Sequence, residues 1–136
     1  MVSKRKAAII LTVMVFAFSG CDKTEGTGGA ATIEGKVEVQ DYTTTGSPNG
    51  TPQPAMDVKV SLIYGNGTTY SDDFNTSFDG SYRFSNLKKG TYKVFVYSDI
   101  VPEPANPPKE EVVLETVTIT DKKGTVSVPT MSIKKF

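Results

Sequence analysis

From residue 32 to the end of the chain, apolar and polar side chains exchange places every second position, and no stretch repeats them every three to four. A period of two belongs to a strand, whose successive side chains leave opposite faces. Residues 56–64 alternate most cleanly, with Val58, Val60, Leu62 and Tyr64 on one face and Lys59 and Ser61 on the other. Residues 32–39 set Ile33, Gly35, Val37 and Val39 against Glu34, Lys36 and Glu38. Residues 81–87 turn Tyr82 and Phe84 inward, and residues 91–98 do the same with Tyr92, Val94 and Val96. Residues 68–76 are more polar and predict an edge strand. Two further strands, 110–120 and 125–134, close the domain. Their alternation breaks near Glu115 and at Pro129, and each break predicts a bulge.

Turn chemistry punctuates these runs. Gly65-Asn66-Gly67, Asp79-Gly80 and Lys89-Gly90 are hairpin signals. Residues 40–54 form a long polar loop containing Ser47-Pro48-Asn49-Gly50, and residues 99–108 hold Pro102, Pro104, Pro107 and Pro108. Proline at that density excludes a central strand. Seven short strands with turns at this spacing predict an all-β fold, a seven-stranded antiparallel β-sandwich over residues 33–136.

The first 20 residues have a different pattern. Lys4, Arg5 and Lys6 precede an apolar run over residues 7–18, broken only by Thr12, and Ser19, Gly20 and Cys21 follow. This is the three-part order of a secretory signal peptide over residues 1–20, and the run is short for a spanning helix. Phe18-Ser19-Gly20-Cys21 resembles a bacterial lipobox in a looser, Bacteroidetes-like form, with Phe18 where Leu is common. The resemblance implies that Cys21 is lipidated, with palmitate among its acyl chains, and becomes the new N-terminus. Cys21 is also the only cysteine, so no internal disulfide competes for it. Residues 21–32, rich in Gly, Thr and Ala, then predict a flexible tether. The expected location is the cell envelope, lipid-anchored in the outer membrane rather than the inner.

The densest motif lies in the middle of the chain. Thr76, Asp79, Gly80, Tyr82, Phe84, Leu87, Gly90, Tyr92 and Val94 stand in the spacing T-x-x-D-G-x-Y-x-F-x-x-L-x-x-G-x-Y-x-V. This resembles the signature of carboxypeptidase regulatory-like and Cna-B-like domains, and implies a prealbumin-like or Ig-like sandwich over most of the mature chain. Some Cna-B-like domains carry a Lys–Asn or Lys–Asp isopeptide bond. Lys36 is the residue that could be mistaken for its lysine, but the alternation turns it away from the core.

Composition narrows the function. There is no histidine, which removes histidine-based triads, histidine zinc sites and the commonest general base. The expected protein is therefore not an enzyme and has no cofactor. Without the three leader cations, twelve basic residues face fifteen acidic ones, a mature net charge of about −3. That balance argues against a nucleic-acid partner and against attraction to an anionic membrane surface. The membrane is expected as a partner through the lipid anchor, with an envelope protein or a glycan as the other.

Candidate sites are few. Asp72, Asp73 and Asp79 are oxygen donors that could suit calcium, but no D-x-D-x-D-G loop is present. Glu110 and Glu111 predict a solvated strand start. Ile63, Phe95 and Tyr97 fall out of phase with the inward positions of their strands, so together they predict an apolar interaction surface unless a loop covers them. Tyr42, Tyr70 and the loop 40–54 form a second candidate, a platform for a glycan. The leading expectation is a non-catalytic binding or scaffolding module. The alternative is a glycan-binding accessory lipoprotein of a polysaccharide-uptake system.

Overall fold

The computed structural model describes residues 25–100 and 109–136, a two-sheet β-sandwich with no helix among them. Nine strands appear in chain order: β1 (Thr27–Asp41), β2 (Gln53–Pro54), β3 (Lys59–Tyr64), β4 (Asp72–Asn75), β5 (Ser81–Leu87), β6 (Gly90–Asp99), β7 (Glu110–Ile119), β8 (Lys123–Ser127) and β9 (Met131–Lys135). The first sheet is built around β1 and contains β2, β5, β8 and β9; the second runs β4-β3-β6-β7. Between them lies the core, with Ile33, Val37, Tyr82, Phe84, Leu87 and Met131 facing Val60, Leu62, Tyr92, Val94, Val96 and Ile119.

The expected seven strands become nine, and the all-antiparallel pairing does not hold. β8 and β9 both lie parallel to β1, through Glu34↔Ser127 and Val37↔Met131. The turn after β7 carries the chain across to the other sheet, so β8 enters from the same end as β1. The expected last strand is also split in two. Between those two pairings β8–β9 spends one residue more than β1, and Pro129, with no N–H to donate, sits in the gap. No bulge occurs at Glu115, since β6 and β7 pair without interruption from Gly90↔Ile119 to Asp99↔Glu110. Glu115 simply occupies an inward-facing position opposite Val94. An acid turned inward on an edge strand discourages another chain from pairing there.

The first strand starts earlier than its composition suggests. β1 begins at Thr27, so the last six residues of the expected tether belong to the sheet, and Ala31 is buried. Gly29 is small because of packing: a Cβ there would collide with the Leu87 carbonyl. Gly35 is small for a similar reason. Its cross-strand partner Tyr82 lays its ring and hydroxyl directly over the Gly35 Cα.

The motif around Asp79 is structural. Its carboxylate accepts from the Ser81 amide (3.1 Å) and hydroxyl (2.6 Å), closing the turn into β5. These bonds, the hydroxyl's first, hold the Asp79 carboxyl below its ordinary value. Thr76 is buried, donates to the Ala55 carbonyl and accepts from the Val58 amide, fastening the crossover between sheets. Tyr92 donates to the Lys88 carbonyl (2.7 Å) and accepts from the Gly26 N–H (2.9 Å), pinning the start of β1 to the β5–β6 turn.

Candidate functional site

The outward side of the second sheet is assembled by register. Ser61 of β3, Phe95 of β6 and Leu114 of β7 stand in one row; Ile63, Lys93 and Thr116 form the next; Tyr97 and Val112 pair beyond Phe95. Tyr97 (53% exposed), Val112 (52%) and Leu114 (46%) are open to solvent and adjacent across two strands. The Phe95 and Tyr97 rings meet edge to face with centroids 5.7 Å apart. Together these side chains form one contiguous apolar patch on this face.

Ile63, Phe95 and Tyr97 do share that face, but the first two are only 8% exposed. The condition that all three stand exposed together is therefore not met, and only Tyr97 is open. The β3–β4 turn folds over Ile63 so closely that a Cβ at Gly67 would lie only 3.2 Å from the Ile63 Cγ2. Phe95 lies mid-sheet between Ser61 and Leu114, under the edge of Tyr97. They form the floor, and Tyr97, Val112 and Leu114 form the contact layer. Val112 and Leu114 were missed by sequence reasoning. Their signal was available: both fall at the outward parity of the run Glu110–Ile119, out of phase with Val113, Val117 and Ile119. The loop whose cover was in question, residues 101–108, lies outside the described residues.

At the end of β6 the same face meets a small cleft of about 200 Å3 lined by Val39, Met56, Tyr97, Ile133 and Lys135. Met56 is exposed there, so the apolar surface continues around the end of the sandwich through Tyr97.

The outward side of the first sheet differs in kind. Glu34 pairs across strands with Arg83 and Ser127, and Lys36 with Ser81. An open groove of about 560 Å3 is lined by Glu34, Lys36, Arg83, Ser127 and, at its margin, Phe74. Beneath it in the core, the Tyr82 hydroxyl meets no hydrogen-bond partner among the described residues. Burial pushes that phenol well above its ordinary value, and the charge of Glu115 pushes it further.

The remaining candidates do not come together. Asp72 and Asp73 lie on β4 and Asp79 in a separate turn, and no group of three metal-binding side chains occurs among the described residues. Asp73 faces Lys59 (3.8 Å) and Glu111 faces Lys134 (3.3 Å), as solvated pairs. Glu110 begins β7 and is exposed. Lys36 is exposed, as the alternation requires, with its Nζ 3.9 Å from Asp79. Tyr42 stacks on Phe136 beside the last residues of β9, whereas Tyr70 sits in the β3–β4 loop at the other end of the sandwich. The two tyrosines form no common platform. Cys21 and the leader lie outside the described residues.

No protein-family model matches the chain, and no curated protein matches it. Among solved structures, a proposed carbohydrate-binding protein from Pseudomonas aeruginosa superposes with a TM-score of 0.52 at 17% identity, over 81% of this chain and 91% of that one. A minor pilin of Streptococcus agalactiae gives a TM-score of 0.45 at 18% identity, over 79% of this chain and 46% of the pilin. At these identities the likeness to the Pseudomonas protein establishes the fold alone: an all-β sandwich.

Proposed function

We propose that this chain is a lipid-anchored module of a bacterial envelope, held through Cys21, and that its β-sandwich binds or scaffolds a protein partner without doing chemistry. The observation that carries the reading is the open apolar layer of Tyr97, Val112 and Leu114 over the Phe95 floor. Aromatic and apolar side chains gathered on one rigid sheet face are the usual anchors of a protein interface. The sandwich is of the carboxypeptidase regulatory-like or Cna-B-like kind, in keeping with the motif from Thr76 to Val94. Anchoring in the outer rather than the inner membrane is part of the same proposal. Globomycin treatment of cells is expected to accumulate a larger precursor; unchanged processing contradicts the anchor. The partner is tested by co-purification of the acylated full chain from solubilised envelope. Wild type and Arg83→Ala are expected to retain the same discrete protein and Tyr97→Asp to lose it; retention by all three contradicts the reading.

A second reading, glycan binding, is favoured by the charged groove beside Phe74 and by what is suggested for the Pseudomonas protein. Polar side chains that donate and accept, with an aromatic at one wall, suit a sugar's hydroxyls and its apolar face. Under this reading the full chain retains glycans on an array and Arg83→Ala loses them. An array with no retention removes it.

A further inference from the structure

The point where the chain leaves the sandwich toward Cys21 is fixed by the structure. The Glu25 carboxylate accepts from the Thr91 amide (3.4 Å), and Gly26 is held on both sides, by the Tyr92 hydroxyl and by the Lys88 amide (2.8 Å). Only Asp22, Lys23 and Thr24 separate Glu25 from Cys21. Four residue steps, fully extended, reach about 14 Å. An anchor at Cys21 therefore keeps this end of the sandwich close to the lipid.

That same end carries four exposed lysines, no more than the far end but with fewer acids beside them. Lys88 and Lys89 form the β5–β6 turn beside Gly26, Lys122 lies in the β7–β8 turn, and Lys123 begins β8 opposite Ala30 in the ladder. All four are exposed, and none enters an ion pair among the described residues. The acids here are fewer: Glu25 is drawn onto Thr91, Asp72 lies on β4 beside Tyr64, and Asp121 shares a turn with the lysines. Asp41, Asp57, Asp99, Glu110 and Glu111 gather toward the opposite end, with Lys109, Lys134 and Lys135 among them. The mature net charge of about −3 conceals this sorting by position.

We propose that Lys88, Lys89, Lys122 and Lys123 form a membrane-docking face that rests on anionic phospholipid headgroups beside the anchor. The inference rests on the reading of Cys21 as lipidated. Each lysine held near such a surface shifts docking by about fivefold, and salt weakens the effect. Docking by this end stands the strands upright on the membrane, so the apolar face of β6 and β7 points sideways and stays open to a partner.

The test uses the full chain extracted from cell membranes and reconstituted into vesicles of phosphatidylcholine, with or without phosphatidylglycerol. Flotation reads the anchor; the rate of amine modification at each lysine reads the docking. The expected result is flotation with both vesicles. Lys88, Lys89, Lys122 and Lys123 should react at least about fivefold more slowly on the anionic ones. High salt should restore their rates, while Lys134 and Lys135 stay unchanged throughout. Flotation with both vesicles and equal rates at the four lysines overturns the docking face and leaves the anchor. Flotation with anionic vesicles alone, with the four protected, supports docking and overturns the anchor; flotation with neither overturns both.

Discussion

The two outer faces of the sandwich are built on the same kind of backbone and finished in opposite ways. Over β1 and its neighbours, Glu34, Lys36, Arg83 and Ser127 present charges and hydroxyls that water solvates well. Over β6 and β7, Tyr97, Val112 and Leu114 present apolar surface that water does not reward. A sheet needs only one buried face to hold together. The part of the second face left apolar and open, at Tyr97, Val112 and Leu114, is where the proposed partner is placed. The inward Glu115 on the same edge strand guards against indiscriminate strand pairing while leaving the face itself available.

The comparison breaks most severely through the core behind the charged face. Gly35→Ala pushes a methyl into the Tyr82 ring and is expected to cost about 1–3 kcal/mol in chemical denaturation. It should weaken the whole sandwich, including partner binding, through folding alone. Leu114→Asp separates the faces better. It should change stability by less than about 0.5 kcal/mol, because the side chain is half exposed, yet weaken partner binding by about 2 kcal/mol or more, measured by titration against the purified partner.

Tyr82→Phe removes a buried hydroxyl that has no partner among the described residues, and is expected to raise stability by about 1 kcal/mol. It also sharpens the alkaline limit. The folded phenol ionises above its ordinary 10, so the fold keeps its full stability below pH 10 and loses it as pH rises beyond. The substitution should move the alkaline unfolding midpoint upward, leaving Tyr92, also raised chiefly by burial, as a remaining contributor.

The acid limit acts on the charged side. Asp79 is held below its ordinary 3.8 by Ser81, so its contribution is complete above that pH and is lost as pH falls through the folded value. Asp79→Asn should flatten the stability profile only in that acid window. The smallest effect belongs to Glu34→Ala on the exposed ladder, within about 0.5 kcal/mol and without change in partner binding.

Much of the scaffold was legible because side-chain period and turn chemistry are local. β5 keeps the bounds expected from alternation, and the more polar β4 lies at a sheet edge. What failed depends on distant contacts. Gly28, Gly29 and Ala30 look like a linker by composition, yet Gly29 is required by the approach of the Leu87 backbone. The parallel pairing of β8 and β9 with β1 was hidden because a turn that changes sheets looks locally like one that returns along the same sheet. At the candidate surface, parity placed Ile63, Phe95 and Tyr97 on one face, but their exposure depends on the folding of the turn at Gly67 and on the neighbouring strand. Thr76 and Tyr92 showed in the motif as letters; their hydrogen bonds across the fold did not.

Site-specific photo-crosslinking in intact cells tests the central claim most directly, with the probe placed at Leu114 on the apolar face or at Ser127 on the charged one. Adducts of one discrete size from Leu114 and none from Ser127 are expected. Adducts from Ser127 alone, or none from Leu114, would show that the apolar face is not where this protein meets its partner.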